Sequence, residues 1–549
     1  MPTDSRRRSD WRWYRSKGWP MLMSAVGLVW FTAWGVNSGH GADGGRSIAP
    51  AEMSQRVDQR IEEHLREIGW QAAGPCSDAE FIRRAYLDLT GRPPTAGQVV
   101  RFIDDPSADK RQELVSRLLR SPLHAEHLAQ QWAEWLLPEA DNPFQPDGRN
   151  GLRNWLRQRF AENLRYDRLV ADLMVSTGPA QTGPTAFFLE LGVQPEKIAA
   201  RTSRVFLGIQ LDCAQCHDHP FDTWTQRDFW GFAAYFAQIE NSAGEMNPLG
   251  GSLIERGMGD VRLMGTDEIV PPKPLLAAGV SGLEGGTRRQ QLTLWMCAPE
   301  NPLLARAAVN RVWSLLFGRG LIEPVDDMSS LDAASHPELL LELSQYFADT
   351  GYDLRNLFAV LTNTRLYSRA NRHPAGPVPP ASYAAMPLKP LTNRQMAASL
   401  MQVARMVAPP GQDALGDLSS QLGQLRGDAS EAKLGIVSAL VTLHGQTAES
   451  ITSEKSSRLV MALNAPHMDL HKQIRWLFLA TVNRPPTDEE MQALSGAVQE
   501  AAEGRSGTSS DEQPATGESG SSPPQGPDTT WQSDLLWALL NSTEFAMTP

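Results

Sequence analysis

The sequence predicts a mainly α-helical fold: two helical domains built from helix–Pro-Pro–helix modules, joined by a Gly/Pro-rich segment with room for a small β element. Three observations carry this. Apolar residues recur at helical spacing in 56–68, 81–89 and 114–119, and no stretch sustains the alternation of a half-buried strand. The segment IRRAYLDLTGRPPT at 82–95 is echoed by IRWLFLATVNRPPT at 474–487. Between 241 and 290 Gly and Pro accumulate around two short apolar pieces, 260–264 and 268–270, which suit a linker or a two-stranded element.

Residues 1–42 have the order of an export signal. Six basic side chains up to Lys17 precede the apolar run from Trp19 to Val36, and small residues follow (Ser38, Gly39, Gly41, Ala42). Cleavage near residue 42 is expected, with an uncleaved single anchor as the alternative. The run is short for a spanning helix, which wants about 20 apolar residues. The body is therefore placed outside the cytoplasm, periplasmic or at the cell surface, and touches the membrane only through an uncleaved N-terminus.

A cytochrome-like helical domain is expected over 50–240, a linker over 241–287 and a second helical domain over 288–549. In both halves of the repeat a Pro pair stops one helix, because proline lacks an N–H and restricts its predecessor. Thr95 and Thr487 then cap the next helix, with Gln98 and Glu490 three residues on as a capping box requires. LVSRLLRS at 114–121 and LLWALLNS at 535–542 extend the echo, and the longer second unit holds a Gly/Ser/Pro/Thr-rich stretch, 503–530, read as a disordered insertion. Arg165-Tyr166-Asp167 is echoed by Gly351-Tyr352-Asp353.

The formal net charge is −12 over 549 residues; residues 1–42 carry +4, which leaves −16 for the rest. So acidic a body repels phosphate backbones, and nucleic acid is not expected as a partner. Four cysteines (Cys76, Cys213, Cys216, Cys297) are too few for a disulfide-built scaffold of this size.

Their arrangement is more informative. Cys213-Ala214-Gln215-Cys216-His217 is a C-x-x-C-H grouping, which independent placement of four Cys and 11 His would produce in fewer than about one chain in a thousand. Three causes compete. Two thiols at this spacing can each form a thioether with a porphyrin vinyl group while His217 ligates the iron, giving covalently attached haem c. His219 extends the run to C-x-x-C-H-x-H, and two thiolates with two imidazoles suit tetrahedral zinc, although four ligands within seven residues leave little slack. A redox or structural disulfide is the third, but a redox Cys-x-x-Cys usually follows a strand and Ile198–Leu211 looks helical. Aromatic residues follow closely: Phe221, Trp224, Phe229, Trp230, Phe232, Tyr235 and Phe236. Thr225 with Asp228 forms a capping box, which puts Phe229, Phe232 and Phe236 on one helical face, either core or a cover for a haem plane. Candidate sixth ligands are Met246, Met258, Met264 or a remote histidine.

The segments RTSRVFLGIQLDCAQCHDHPFDTWTQRDFWGFAAYF at 201–236 and RRAYLDLTGRPPT at 83–95 resemble exported planctomycete cytochrome-like proteins. ENPLLARAAVNRVWSLLFGRGLIEPVDD at 300–327, SHPELL at 335–340, GYDLRNL at 351–357 and LKPLTNRQM at 388–396 resemble the planctomycete-specific domain that follows in that family. Both domains are catalogued as being of unknown function. The resemblance implies an exported, haem-bearing protein, and a secreted sulfatase-like protein as a partner beside an unidentified redox partner. The non-redox alternative is a structural or interaction module of the cell envelope; a third reading is an exported enzyme that uses haem peroxidatically or acts on polysaccharides with the sulfatase-like partner.

Other groups read more plainly. His124 and His127, near Glu126 and Glu134, suit a solvated helical face better than a metal pair. Ser335 and His336 before Pro337 mark a helix N-terminus. Arg311 and Arg319 are expected to pair with Asp326 and Asp327, and Cys76 and Cys297 are a candidate bridge.

Overall fold

A computed structural model describes residues 48–138, 148–179, 183–220, 222–244, 251–276, 285–404, 414–426, 457–507 and 531–549. The signal-like segment, Phe221, Met246 and residues 508–530 of the expected insertion lie outside them; 503–507 complete a helix rather than a disordered stretch. Of the described residues, 59% are helical and 5% lie in strands.

The first part runs α1 (Pro50–Glu67), α2 (Asp78–Thr90), α3 (Ala96–Ile103), α4 (Lys110–Leu119), α5 (Pro122–Leu136), α6 (Gly148–Ala161), α7 (Tyr166–Met174), α8 (Thr185–Glu190), α9 (Pro195–Thr202) and α10 (Gln226–Ala233). Then come α11 (Arg288–Met296), α12 (Leu303–Phe317), α13 (Pro337–Asp349) and α14 (Leu354–Thr362). The last part holds α15 (Asn393–Ala404), α16 (Ala414–Arg426), α17 (Arg458–Leu463), α18 (Leu470–Thr481), α19 (Asp488–Gly507), α20 (Trp531–Leu540) and α21 (Thr543–Ala546). The strands are two to four residues long. β1 (Gly178–Pro179), β3 (Ser252–Glu255) and β2 (Ile239–Asn241) form an antiparallel sheet, in that order; β4 (Val261–Arg262) pairs with β5 (Ile269–Val270), and β6 (Lys389–Pro390) with β7 (Met547–Thr548). The β4–β5 pair falls on the two apolar pieces that the sequence offered. The three-stranded sheet has no alternating pattern to announce it, because its strands are too short to show a period.

Buried apolar side chains gather in two clusters. The larger runs from Met53 in α1 to Met386, with Leu479 of α18 joining it, and takes in Leu253, Val261, Val270 and Leu275 of the Gly/Pro-rich segment. The smaller joins Leu391 and α15 to α17, α18, α20 and Phe545, with Leu87 of α2 reaching into it.

Both repeat modules form as their caps dictate. Thr95 Oγ1 accepts from Gln98 N at 3.4 Å while Gln98 Oε1 accepts from Thr95 N at 2.8 Å. Thr487 and Glu490 reproduce this, at 3.2 and 2.7 Å. The modules also touch: Asn483 Nδ2 donates to the Pro94 carbonyl at 3.0 Å. Arg83, fully buried in α2, donates to Asn483 Oδ1 (2.7 Å) and to the carbonyls of Thr481 and Phe545. Burial outweighs the nearby negative charge of Glu544 and pushes this guanidinium down to about 10. Arg84 pairs with Glu80 and donates to the carbonyls of Pro549, Tyr367 and Arg369. The second echo is a contact too, since Tyr166 N donates to the Tyr352 carbonyl at 3.0 Å.

Candidate functional site

The C-x-x-C-H run lies on a bend whose shape begins in α9. Instead of continuing to Leu211 as one α-helix, the chain loosens into a π-turn over Ser203–Leu207, a form common near functional sites, and stops at Gly208. Gly208 is left-handed, at φ +66°. A Cβ there would sit 2.6 Å from Met328 Cε, so a side chain has no room. The Gly208 carbonyl accepts from Met328 N at 2.6 Å, which pins the bend to the loop after α12. A 3₁₀ turn, Asp212–Gln215, then carries Cys213.

The turn is fastened from three sides. Arg204 bridges Asp212 (2.7 Å) and Asp326 (3.5 Å). Gln226, at the start of α10, donates from Nε2 to the carbonyls of Gln215 and Cys216 at 3.3 and 3.1 Å. Trp230 Nε1 donates to the same Gln215 carbonyl at 3.1 Å. Farther along, burial works to raise the Asp222 carboxyl, but hydrogen bonds from Ser329 and Thr223 outweigh it and hold the group below the usual carboxylate range.

Cys213 and Cys216 are free thiols, both exposed, and His217 is exposed beside them. His217 Nδ1 lies 2.8 Å from the Asp218 carbonyl. A carbonyl only accepts, so Nδ1 carries the proton and Nε2 presents a lone pair. Metal-ligating histidines are oriented in this way, the second ring nitrogen donating to a carbonyl or carboxylate. Thiol accessibility and imidazole tautomer thus fit covalent haem attachment with His217 as the iron ligand. Trp224 Nε1 is buried without a partner, a spare donor one helix start away from the motif.

The zinc alternative fits less well. Among the described residues no group of three or more His, Cys, Asp or Glu side chains is gathered to hold a metal ion, so Cys213, Cys216, His217 and His219 are not preassembled. The aromatic face is core. Phe229, Phe232 and Phe236 are fully buried, with Phe232 edge-on to Trp295 and Phe236 against Phe188, and they are not free to cover a haem plane. Met258 and Met264 are exposed, 74% and 48%.

Four further expectations are corrected or refined. His124 and His127 do not lie on a solvated face: His124 is buried and hydrogen-bonds the Leu89 carbonyl at 2.8 Å. Burial pushes them down to about 4 and about 3. Helix α13 does begin at Pro337, but neither Ser335 nor His336 caps it; Ser335 donates to the Leu321 carbonyl, and buried His336 packs edge-on against His64. Arg311 does not pair with Asp326. It donates to the carbonyls of Arg204 and Val205 and lies over Trp135, while Arg204 and Gln210 hold Asp326. Cys76 and Cys297 are separate free thiols, Cys76 beside Arg84 and Arg111 and Cys297 donating to the Asp167 carbonyl, and burial pushes the Cys297 thiol up to about 12. Sequence reading missed Gln226, Met328 and Arg204 as supports of the motif; the left-handed Gly208 was the available signal for the bend.

Two family models match the chain in tandem. Residues 56–241 match the model described as PSCyt2, a protein of unknown function (DUF1549), and residues 288–414 match PSD1, a protein of unknown function (DUF1553). The first contains the whole C-x-x-C-H run; the second contains the loop that buttresses Gly208. No curated protein and no solved structure matches the chain. No described helix is long and apolar enough to cross a membrane.

Proposed function

We propose that this chain is an exported c-type cytochrome-like redox protein that carries a covalent haem on Cys213 and Cys216 with His217 as iron ligand. The observation that carries the reading is the His217 geometry: its Nδ1–H is committed to the Asp218 carbonyl and its Nε2 lone pair is left beside two exposed thiols. The name of the first matched family, PSCyt2, hints at a cytochrome-like domain and supports the reading, although the family is described as of unknown function. Haem held there would supply one-electron chemistry. The chain's own part is orientation: Gln226 and Trp230 fix the turn between the thiols, and Arg204 fixes its entry. A redox partner and a secreted sulfatase-like partner belong to the same proposal.

The competing reading, a non-redox envelope module, draws on the burial of Phe229, Phe232 and Phe236, which spends the nearest aromatic face on the core. Expression with a c-type haem maturation system, followed by a pyridine haemochrome spectrum on denatured, extracted protein, separates the two. A c-type band that disappears in Cys213→Ala/Cys216→Ala is the expected result. Its absence beside a functioning control cytochrome overturns the haem reading.

A further inference from the structure

The residue after His217 aims its ring, and that residue is itself held twice. The acceptor of the His217 Nδ1 proton is the carbonyl of the Asp218–His219 peptide, at 2.8 Å. That peptide is planar and trans, so its C=O and N–H point in opposite directions and neither turns without the other. Its N–H is already committed, because His219 N donates to the Trp224 carbonyl at 2.8 Å. Pro220 follows, and a residue before proline is kept extended, which removes a further freedom from the chain at His219.

The Asp218 side chain makes the second tie. Its Oδ1 accepts from Gln226 N at 2.8 Å. Gln226 is the first residue of α10, so its N–H finds no acceptor within the helix, and a carboxylate at a helix N-terminus is also favoured by the helix dipole. The Gln226 side chain reaches the other way, to the carbonyls of Gln215 and Cys216. One residue therefore grips the chain on both sides of His217. The capping box of Thr225 and Asp228 fixes the first turn of α10, from which this grip is made.

We propose that Asp218 is the positioning residue of the site: its carboxylate, locked to the start of α10, holds its carbonyl where it selects the Nδ1–H form of His217 and leaves Nε2 as the lone-pair nitrogen before any cofactor arrives. The inference rests on the reading of His217 as iron ligand. A ring set in advance spends less of the binding free energy on being ordered.

The test is the tautomer of His217 in the haem-free full chain with reduced thiols. It is read at pH 8, where ordinary imidazoles are neutral, from long-range proton–nitrogen correlations of histidine-labelled protein, with His217→Gln to assign the signal. The wild type should show the Nδ1–H form. Asp218→Ala should lower the ratio of Nδ1–H to Nε2–H about fivefold, the scale of losing one hydrogen bond. Asp218→Asn should restore it, since an amide Oδ1 still accepts from Gln226 N. Asp218 is exposed, so both variants fold. A second pair isolates the donor. Gln226→Ala removes the side-chain ties and keeps the N–H, whereas Gln226→Pro removes both, and proline is well tolerated at the first helical position. The proline variant should therefore show the lower ratio, again by about fivefold. A wild type in the Nε2–H form, an unchanged ratio in Asp218→Ala, no rescue by Asp218→Asn, or equal ratios in the two Gln226 variants overturns the proposal. The tautomer is read without haem, so a chain that never takes haem can still uphold the role of Asp218, and a chain that takes haem with an unchanged ratio in Asp218→Ala refutes that role alone.

Discussion

Gly208→Ala tests whether the bend before the motif is held as described. Two costs are expected. An alanine in the left-handed region loses about 1–2 kcal/mol relative to glycine. Its Cβ would also enter the space of Met328, 2.6 Å from Cε and 3.2 Å from Cγ, and Met328 is buried. Because the side chain is flexible, relief comes from turning the thioether away, at about 1–2 kcal/mol of overpacking. The sum is about 2–4 kcal/mol, read as a shift in urea midpoint at constant m. The decisive measurement is the double-mutant cycle. Met328→Ala clears the space, so in that background Gly208→Ala should cost only the backbone part, and the coupling should be about 1–2 kcal/mol. Equal costs in the two backgrounds would refute the buttress. No cost in either would refute the left-handed bend.

Other outcomes follow from the same packing. His124, His127 and His336 are pushed down to about 4, 3 and 4, below the ordinary value near 6.5, so in the unfolded chain they bind protons more tightly. Their stabilisation is complete above about pH 6.5 and is lost as pH falls towards 4, at up to about 1.4 kcal/mol per unit for each. Urea titrations at pH 7, 6 and 5 should show this slope, and His336→Gln should flatten it. Thr95→Ala and Thr487→Ala should each cost about 1 kcal/mol by chemical denaturation, since both lose the same cap; a cost at only one would break the equivalence of the modules. Arg83→Ala should cost about 3–5 kcal/mol and make α18–α21 sensitive to limited proteolysis, because Asn483 and two carbonyls lose their donor in a buried place. Unchanged proteolysis would mean that these helices are held from elsewhere.

Much of this was legible where the signal is local. The capping boxes at Thr95, Thr225 and Thr487 need only residues three apart, and all three form. The helix class followed from periodicity. What was illegible depends on residues far apart in sequence. Nothing near His124 announces that Phe358 will lie 5.3 Å from its ring and exclude water. Asp326 was matched to the nearest arginine on its own side of the chain, but Arg204 reaches it from the π-turn. Arg92 and Arg394 share the Glu126 carboxylate across about 300 residues, and no local pattern encodes that.

Arg83 and Asn483 are separated by 400 residues. At about 5–20 residues per second, a ribosome finishes the first roughly 20–80 s before it supplies the second. Through that interval α2 holds a guanidinium whose burial has no partner to satisfy it, so the early helices cannot settle into their final packing as they emerge. The arginine that ties the two repeat modules together can do so only once nearly the whole chain has been made.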